Sequence, residues 1–407
     1  MHLLIIHQAF VSPNEAGGTR HYEFARRMVA QGHRVTIVAS DLSYLTGGKT
    51  VKGRGLVTAE EMDGVRVLRA YTYPSLHKSF AWRVVSFLCF MATSVLAGLQ
   101  AGRADVVMGT SPPIFQAVSA WFVAFLRHKP FLLEVRDLWP EFAVDMGVLR
   151  NPLIIALARR LERFLYARAR RIAVNSPAYR EYLDEVGVPA KKVVLIPNGV
   201  DPKMFDPEAD GRAFREELSL DGKFVVMYAG ALGLANDIPT ILRAAELLQV
   251  DERVRFVLVG DGKERSNLER FVRERGLTNV VFAGPRPKVE MAQVLAASDV
   301  CVATLRDIPM FRTTYPNKVF DYMAAGRPTI LGIDGVIRKV VEAAGAGVFV
   351  PPGDHRCLAE AVRLLASNPD RAREMGQRGR EYVAKNFHRD THAEMFVGLV
   401  EGLAWGA

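Results

Sequence analysis

The stretch 315–329, YPNKVFDYMAAGRPT, sets a base and an acid about one helical turn apart where the pattern turns helical. Pro316 presets the backbone for the helix start, Asn317 and Lys318 can aim side-chain and main-chain donors at an anion, and Asp321 follows one turn later. A cation beside a helix dipole suits a diphosphate, and a carboxylate just beyond suits a ribose diol. Together they describe a sugar-nucleotide site. Upstream, Arg306 and Arg312 in TLRDIPMFRTTYPNK bring further positive charge toward the same helix start, with a surface pairing of Arg306 to Asp307 as the structural alternative.

Glycines follow several apolar runs. Gly230 and Gly233 come after run 224–229, and Gly260 and Gly262 come after run 255–259, where they bend the chain so that Lys263 overhangs the edge. Gly17 and Gly18, before Thr19 and Arg20, form a loop at a helix start in which main-chain amides can approach a phosphate or a sugar hydroxyl. Each is weak alone, because a tight turn explains it equally well. Stronger is EVRDLWPE, residues 134–141, which ends an apolar run with Arg136, Asp137, Trp139 and Glu141. Charged groups at a strand end suit substrate contact, Trp139 suits a sugar face, and an Arg136–Asp137 ion pair that ties the loop is the bland reading.

These residues need a scaffold, and the apolar pattern supplies one. Runs rich in Val and Ile at 3–7, 35–39, 65–69, 106–109, 131–135, 171–175 and 193–196 read as buried parallel strands with helices between most of them. The Pro-, Gly- and Asp-rich segment 197–211 reads as a linker. A second series follows at 224–229, 255–259, 280–283, 300–304, 329–332 and 347–350. The expected fold is α/β: two Rossmann-like, doubly wound domains facing each other across a cleft, 1–200 and 201–384, with a terminal helix at about 385–407 packing back on the first.

At 407 residues, 49% hydrophobic and 24% charged, the composition is globular. The formal charge of +9 favours anionic partners. Nucleic acid is the weakest of these, because no nucleic-acid-binding motif accompanies the charge. Cys89, Cys301 and Cys357 are too widely spaced for a disulfide framework or a zinc site, so a reducing cytosol is expected. The first residues, MHLLIIHQAF, read as a strand and not as a signal peptide. Residues 84–99 carry no charge, are shorter than the ~20 needed to span a bilayer, and follow basic Lys78 and Arg83. They fit either a buried helix or one lying in a membrane surface, toward which Arg159, Arg160, Arg163, Arg168, Arg170 and Arg171 would be drawn.

The motifs AGGTRHYEFARRMVAQGH, TSPP, EVRDLWPE, IPNGVD, YAGALG, VGDG, YPNKVFDYMAAGRP and GVFVPPGD, in this order, resemble glycosyltransferase family 4 of the GT-B fold. Within it they are most similar to the N-acetyl-fucosamine transferase-like branch of bacterial surface-polysaccharide synthesis. The resemblance implies a nucleotide-sugar donor, expected to be UDP-linked, in the second domain and an acceptor in the first. It implies retention of anomeric configuration, a polyprenyl-diphosphate-linked acceptor, and a peripheral location on the anionic inner face of the cell membrane. It implies no metal and no other cofactor. Carried onto this chain, Lys318, Arg136 and Asp137 are the catalytic candidates. The donor set is Asp321, Asn317, Arg306, Arg312, Lys263, Gly230 and Gly260, and the sugar and acceptor set is Gly17, Gly18, Thr19, Trp139 and Glu141. The chain also departs from the general pattern. Thr313 stands where the first of two acids is usual, Ala231 and Asn236 replace a basic pair, and Arg136 replaces a His. Those departures keep two alternatives in view, a non-catalytic sugar-nucleotide binder and a GT-B sugar-nucleotide epimerase.

Overall fold

The computed structural model describes residues 1–406 except 13, 16, 44–46, 53, 54, 76–79, 207 and 208, and of 80 and 81 only the backbone. Lys78 therefore lies outside the described residues. The chain forms two compact units. The first comprises Met1–Ser12, Thr19–Pro197 and Asp390–Ala407, and the second comprises Pro13–Gly18 and Asn198–Arg389.

The first unit runs β1 (His2–Ile6), α1 (Arg20–Ala30), β2 (Arg34–Ser40), β3 (Val57–Met62), β4 (Val65–Ala70), α2 (Phe80–Gln100), β5 (Val106–Ser111), α3 (Ile114–Leu126) and β6 (Phe131–Val135). It continues with α4 (Glu141–Asp145), α5 (Pro152–Arg168), β7 (Arg171–Val174), α6 (Pro177–Glu185) and β8 (Val193–Leu195). The sheet order is β3-β4-β2-β1-β5-β6-β7-β8. All neighbours pair in parallel except β3 with β4. Strands such as β1 and β5 are buried at every residue because helices cover both faces, which explains their unbroken apolar sequences. The strand β3 differs. It is half-exposed and polar at every second or third residue, and it pairs through a turn at Asp63 and Gly64, both with positive φ (49° and 77°). That Asp-Gly pair is a hairpin signal.

The second unit runs α7 (Arg212–Glu217), β9 (Phe224–Ala229), α8 (Ile238–Leu247), β10 (Val254–Val259), α9 (Arg265–Glu274), β11 (Val280–Gly284), α10 (Met291–Ala296) and β12 (Val300–Thr304). Then come α11 (Asn317–Ala324), β13 (Thr329–Gly332), α12 (Val336–Ala344), β14 (Gly347–Phe349), α13 (His355–Ala366) and α14 (Pro369–Asn386). Its sheet is wholly parallel in the order β11-β10-β9-β12-β13-β14, the doubly wound arrangement of dinucleotide-binding domains. The strand order reverses between β9 and β12 here, and between β1 and β5 in the first unit. Loops leaving those strands open a crevice at the carboxyl edge, so Gly230 and His7 each stand at a switch point.

The last helix, α15 (Arg389–Trp405), returns the chain to the first unit. Ala393, Phe396, Val397 and Val400 are buried there with Leu3, Phe24, Met28 and Ile37, and Phe396 stacks on Phe24 at 4.8 Å. On the opposite side of that sheet, α3 packs between α2 and α5. α2 presses Phe90, Ser94 and Ala97 inward, yet leaves Trp82, Val85, Leu88, Leu96 and Leu99 exposed. From Trp82 to Gln100 it is long and apolar enough to cross a membrane, with mean hydropathy 1.6, while it also contacts β1, β2 and β4.

Candidate active site

In the second unit the Lys318 ammonium lies 2.7 Å from Asn236 Oδ1 and 2.8 Å from the Tyr228 hydroxyl oxygen, over the Tyr228 ring at 4.3 Å. Both hydrogen-bond partners are neutral groups. Burial pushes the ammonium down to about 7. A cation held this way, one residue into α11, is ready for an anion, since no carboxylate bonds it among the described residues. One turn further on, Asp321 accepts from Lys288 Nζ at 2.6 Å, and Lys288 lies over the Phe205 ring at 5.0 Å. Lys288 comes from a short turn after β11.

The turns after β9 and β10 are laced together, which accounts for their glycines. Gly230 N–H donates to Val259 O at 2.9 Å and Leu232 N–H to Asp261 O at 2.8 Å. A Cβ at Gly260 (φ +142°) would meet Gly230 O at 1.9 Å, so no side chain fits there. At Gly230 (φ +158°) a Cβ would come to 3.3 Å of Lys318 Nζ. Gly230 thus lines the space around the ammonium, whereas Gly260 permits the packing of the two turns.

In the first unit a buried polar cluster gathers at the ends of β1, β5 and β6. Arg20 Nε donates to Glu134 Oε1 at 3.0 Å, and its remaining nitrogens donate to the carbonyls of Ile196 and Pro197, both at 2.7 Å. His21 Nε2 lies 2.5 Å from Glu134 Oε2. Burial works to raise the Glu134 carboxyl but is outweighed by its His21 and Arg20 partners, so Glu134 stays below the usual carboxylate range. Burial lowers His21, against the pull of Glu134, and takes His7 well below its ordinary value. His7 Nδ1 lies 2.9 Å from Thr110 Oγ1, and its Nε2 faces Arg136 at 3.4 Å. Since arginine can only donate, His7 Nε2 accepts and Nδ1–H points to Thr110. Next to Arg136, Asp137 is pushed up to about 6 by burial, with the Tyr179 hydroxyl 3.4 Å away.

The Glycosyl transferase 4-like domain family matches residues 16–199, and the Glycosyl transferases group 1 family matches 210–382. The glycosyltransferase WbjE of Pseudomonas aeruginosa is 26% identical across 76% of this chain and 78% of its own length. WcaI of Escherichia coli, named as a colanic acid biosynthesis glycosyl transferase, is 23% identical across 95% and 99%. The chain belongs to glycosyltransferase family 4. Among solved structures, sucrose-phosphate synthase of Thermosynechococcus elongatus superposes with a TM-score of 0.79 at 22% identity, covering all of both chains. Anabaena HepE in complex with UDP and glucose does so with 0.74 at 18%, covering 98% of this chain and 99% of its own. The fold is GT-B.

The transferase brings together some of the residues singled out from sequence and separates others. Lys318, Asp321, Asn317 and Gly230 share one edge of the second unit, and a Cβ at Gly18 would come to 3.2 Å of Asn317 Nδ2. Asn317 Oδ1 is buried without a hydrogen-bond partner among the described residues. Arg306 is exposed on the loop after β12, where its backbone N–H donates to Ala235 O at 3.0 Å. Asp307 pairs with Arg312 at 3.2 Å, not with Arg306, and the pair is exposed. Lys263 is exposed on the turn after β10, and Gly17 is exposed in its loop. Thr19 is 3% exposed and its hydroxyl donates to Glu23 one turn along α1. Glu141 is held by both Nε and Nη2 of Arg159, at 2.7 and 2.9 Å. Trp139 is half-buried, edge-on to Phe115 at 6.2 Å, and closes a small cavity with Ile114, Leu165, Tyr166 and Glu162. Burial raises Glu162 to about 7.

Sequence reasoning missed Tyr228, Asn236 as a partner of Lys318, Lys288, and the His7–His21–Glu134–Arg20 cluster. Asn236 carried a signal, as the site of an absent base. The others make side-chain to side-chain hydrogen bonds across 33 to 129 residues, beyond any local spacing. Among the described residues no group of three His, Cys, Asp or Glu side chains is arranged to hold a metal ion.

Proposed function

We propose that the transferase moves a hexosyl or N-acetylhexosaminyl unit from a UDP-sugar to a polyprenyl-diphosphate-linked saccharide, with retention, during synthesis of a surface polysaccharide such as O-antigen, capsule or exopolysaccharide. The observation that carries this reading is the buried Lys318 ammonium at the start of α11, whose hydrogen-bond partners among the described residues are neutral. When the bond between sugar C1 and the diphosphate breaks, charge gathers on the departing oxygen. A preorganised cation and helix dipole stabilise that charge. Lys318 then does what a basic pair at 231 and 236 does elsewhere, and its contact with Asn236 puts the charge back beside one of those positions. No metal is needed in this scheme. Asp321 takes the ribose, Asn317 and Gly230 adjoin the diphosphate, and Arg306, Arg312 and Lys263 add positive potential at the rim. Arg136, Asp137 and Trp139 serve the acceptor side in the first unit, and Gly17 and Gly18 adjoin the donor's sugar in the second. HepE in complex with UDP, and the colanic acid role in the name of WcaI, favour the donor and pathway classes.

A lipid-linked acceptor requires the enzyme to sit at a membrane, on the cytoplasmic face in this reading. The supporting surface lies on the first unit. Phe122, Phe125 and Leu126 of α3 and Leu153, Ile154 and Leu157 of α5 are exposed beside the bare side chains of α2. Arg83, Arg159, Arg160 and Arg163 are exposed on or beside the same helices. Apolar side chains ringed by arginines suit an anionic leaflet.

The test is a thermal-shift screen of UDP- and GDP-sugars, then transfer to lipid acceptors extracted from membranes, with and without a chelator. Expected is a UDP-sugar hit and transfer at the same rate in both. Tight UDP binding without transfer to any acceptor would favour a scaffold, and interconversion of free sugar nucleotides an epimerase.

A further inference from the structure

The Asp321–Lys288 pair has no counterpart in the local sequence around α11, and its geometry points to more than charge neutralisation. The side chains are 9% and 16% exposed for Lys288 and Asp321, in contact at 2.6 Å, and the Phe205 ring supports the ammonium from below. Only Asp321 Oδ2 is engaged, and Oδ1 has no hydrogen bond among the described residues. The ammonium has three N–H donors, of which one serves Asp321. The pair therefore offers, side by side, a free acceptor oxygen and free donor hydrogens, one helical turn from Lys318.

We propose that Lys288 is a specificity-determining residue for the donor and that Lys288 and Asp321 together read a ribose diol. Asp321 Oδ1 accepts from one hydroxyl while Lys288 Nζ donates to the oxygen of its neighbour. A vicinal diol presents a donor and an acceptor side by side, and the pair presents their complement. A deoxyribose lacks one hydroxyl and leaves either the carboxylate oxygen or an ammonium hydrogen unpaired in a largely buried setting, which disfavours it. Phe205 and the ion pair fix the Asp321 rotamer before the nucleotide arrives, so binding has little side-chain freedom left to remove.

This inference rests on the donor reading of the second unit. The experiment is titration calorimetry with UDP and GDP, and then with the 2′-deoxy analogue of whichever binds the parent more tightly. The parent should favour the ribonucleotide by about 10-fold or more. Lys288→Met should lose most of that preference, and Lys288→Arg should retain it. Asp321→Asn, a second variant that keeps the side-chain volume, should lose it as well. If the parent binds a ribonucleotide but does not discriminate, or if Lys288→Met discriminates as the parent does, the role of Lys288 is overturned while the donor reading stands. If the parent binds neither UDP nor GDP, both fall together.

Discussion

Lys318 is a cation whose described hydrogen-bond partners are a phenol and an amide oxygen, and that choice of partners has two measurable consequences. Lys318→Ala is expected to lower kcat by ~10²–10³-fold with a smaller change in donor KM, because the diphosphate is most negative as it leaves. Steady-state rates over a donor concentration series check this. The second consequence concerns pH. In the ligand-free protein Lys318 titrates near pH 7, below the ~10.4 of a free lysine. A diphosphate favours the charged form, so above pH 7 binding must take up a proton, and affinity falls with rising pH by up to ~10-fold per unit. Below pH 7 the ammonium is already charged, and this dependence vanishes. Calorimetry in buffers of different ionisation enthalpy should detect the proton in the parent and not in Lys318→Ala. For folding the sign reverses: the lowered native value penalises the folded state in acid, and the penalty is relieved as pH climbs from 7 toward 10.

At the scale of elements, helices α2, α3 and α5 carry two apolar faces each where a surface helix ordinarily carries one. The inner faces pack on the sheet and on one another. The outer ones have no protein to cover them among the described residues. Replacing Leu153, Ile154 and Leu157 together by serine should weaken binding to vesicles of anionic phospholipid by about 10-fold or more, and leave UDP affinity unchanged. Vesicle sedimentation and calorimetry check the two halves. The elements also show why some features were legible in the sequence. Parallel strands such as β1, β5 and β12, covered on both faces, produce unbroken apolar runs that stand out against polar turns. β3 does not, since an exposed edge strand with Thr58, Glu60 and Glu61 resembles a loop, and only its Asp63-Gly64 turn gives it away. The candidate site divides likewise. Lys318 and Asp321 are visible because three residues of helix bring them to one face. Lys288 and His7 are invisible because tertiary packing alone delivers them, and Thr19 is ambiguous because a hydroxyl at a helix start looks the same whether it faces a ligand or the helix itself.

At the scale of the whole molecule, the chain leaves the second unit at Arg389 and completes the first with α15. Phe396 is fully buried against Phe24. Phe396→Ala should cost ~3–5 kcal/mol, which is a large part of an ordinary domain's stability. Because two units need not unfold together, hydrogen exchange is the suitable probe. Amides of β1 and β2 should lose protection, and those of β9 and β10 should keep theirs.

That return of the chain also sets a timetable for biosynthesis. The core of the first unit includes Leu3 and Val400, so it cannot close until the chain has left the ribosome as far as Val400. At ~5–20 residues per second, the face around Phe24 waits on the order of 20–80 s for its covering helix. The second unit, made in the interval, has every strand of its own sheet by Phe349 and can fold first.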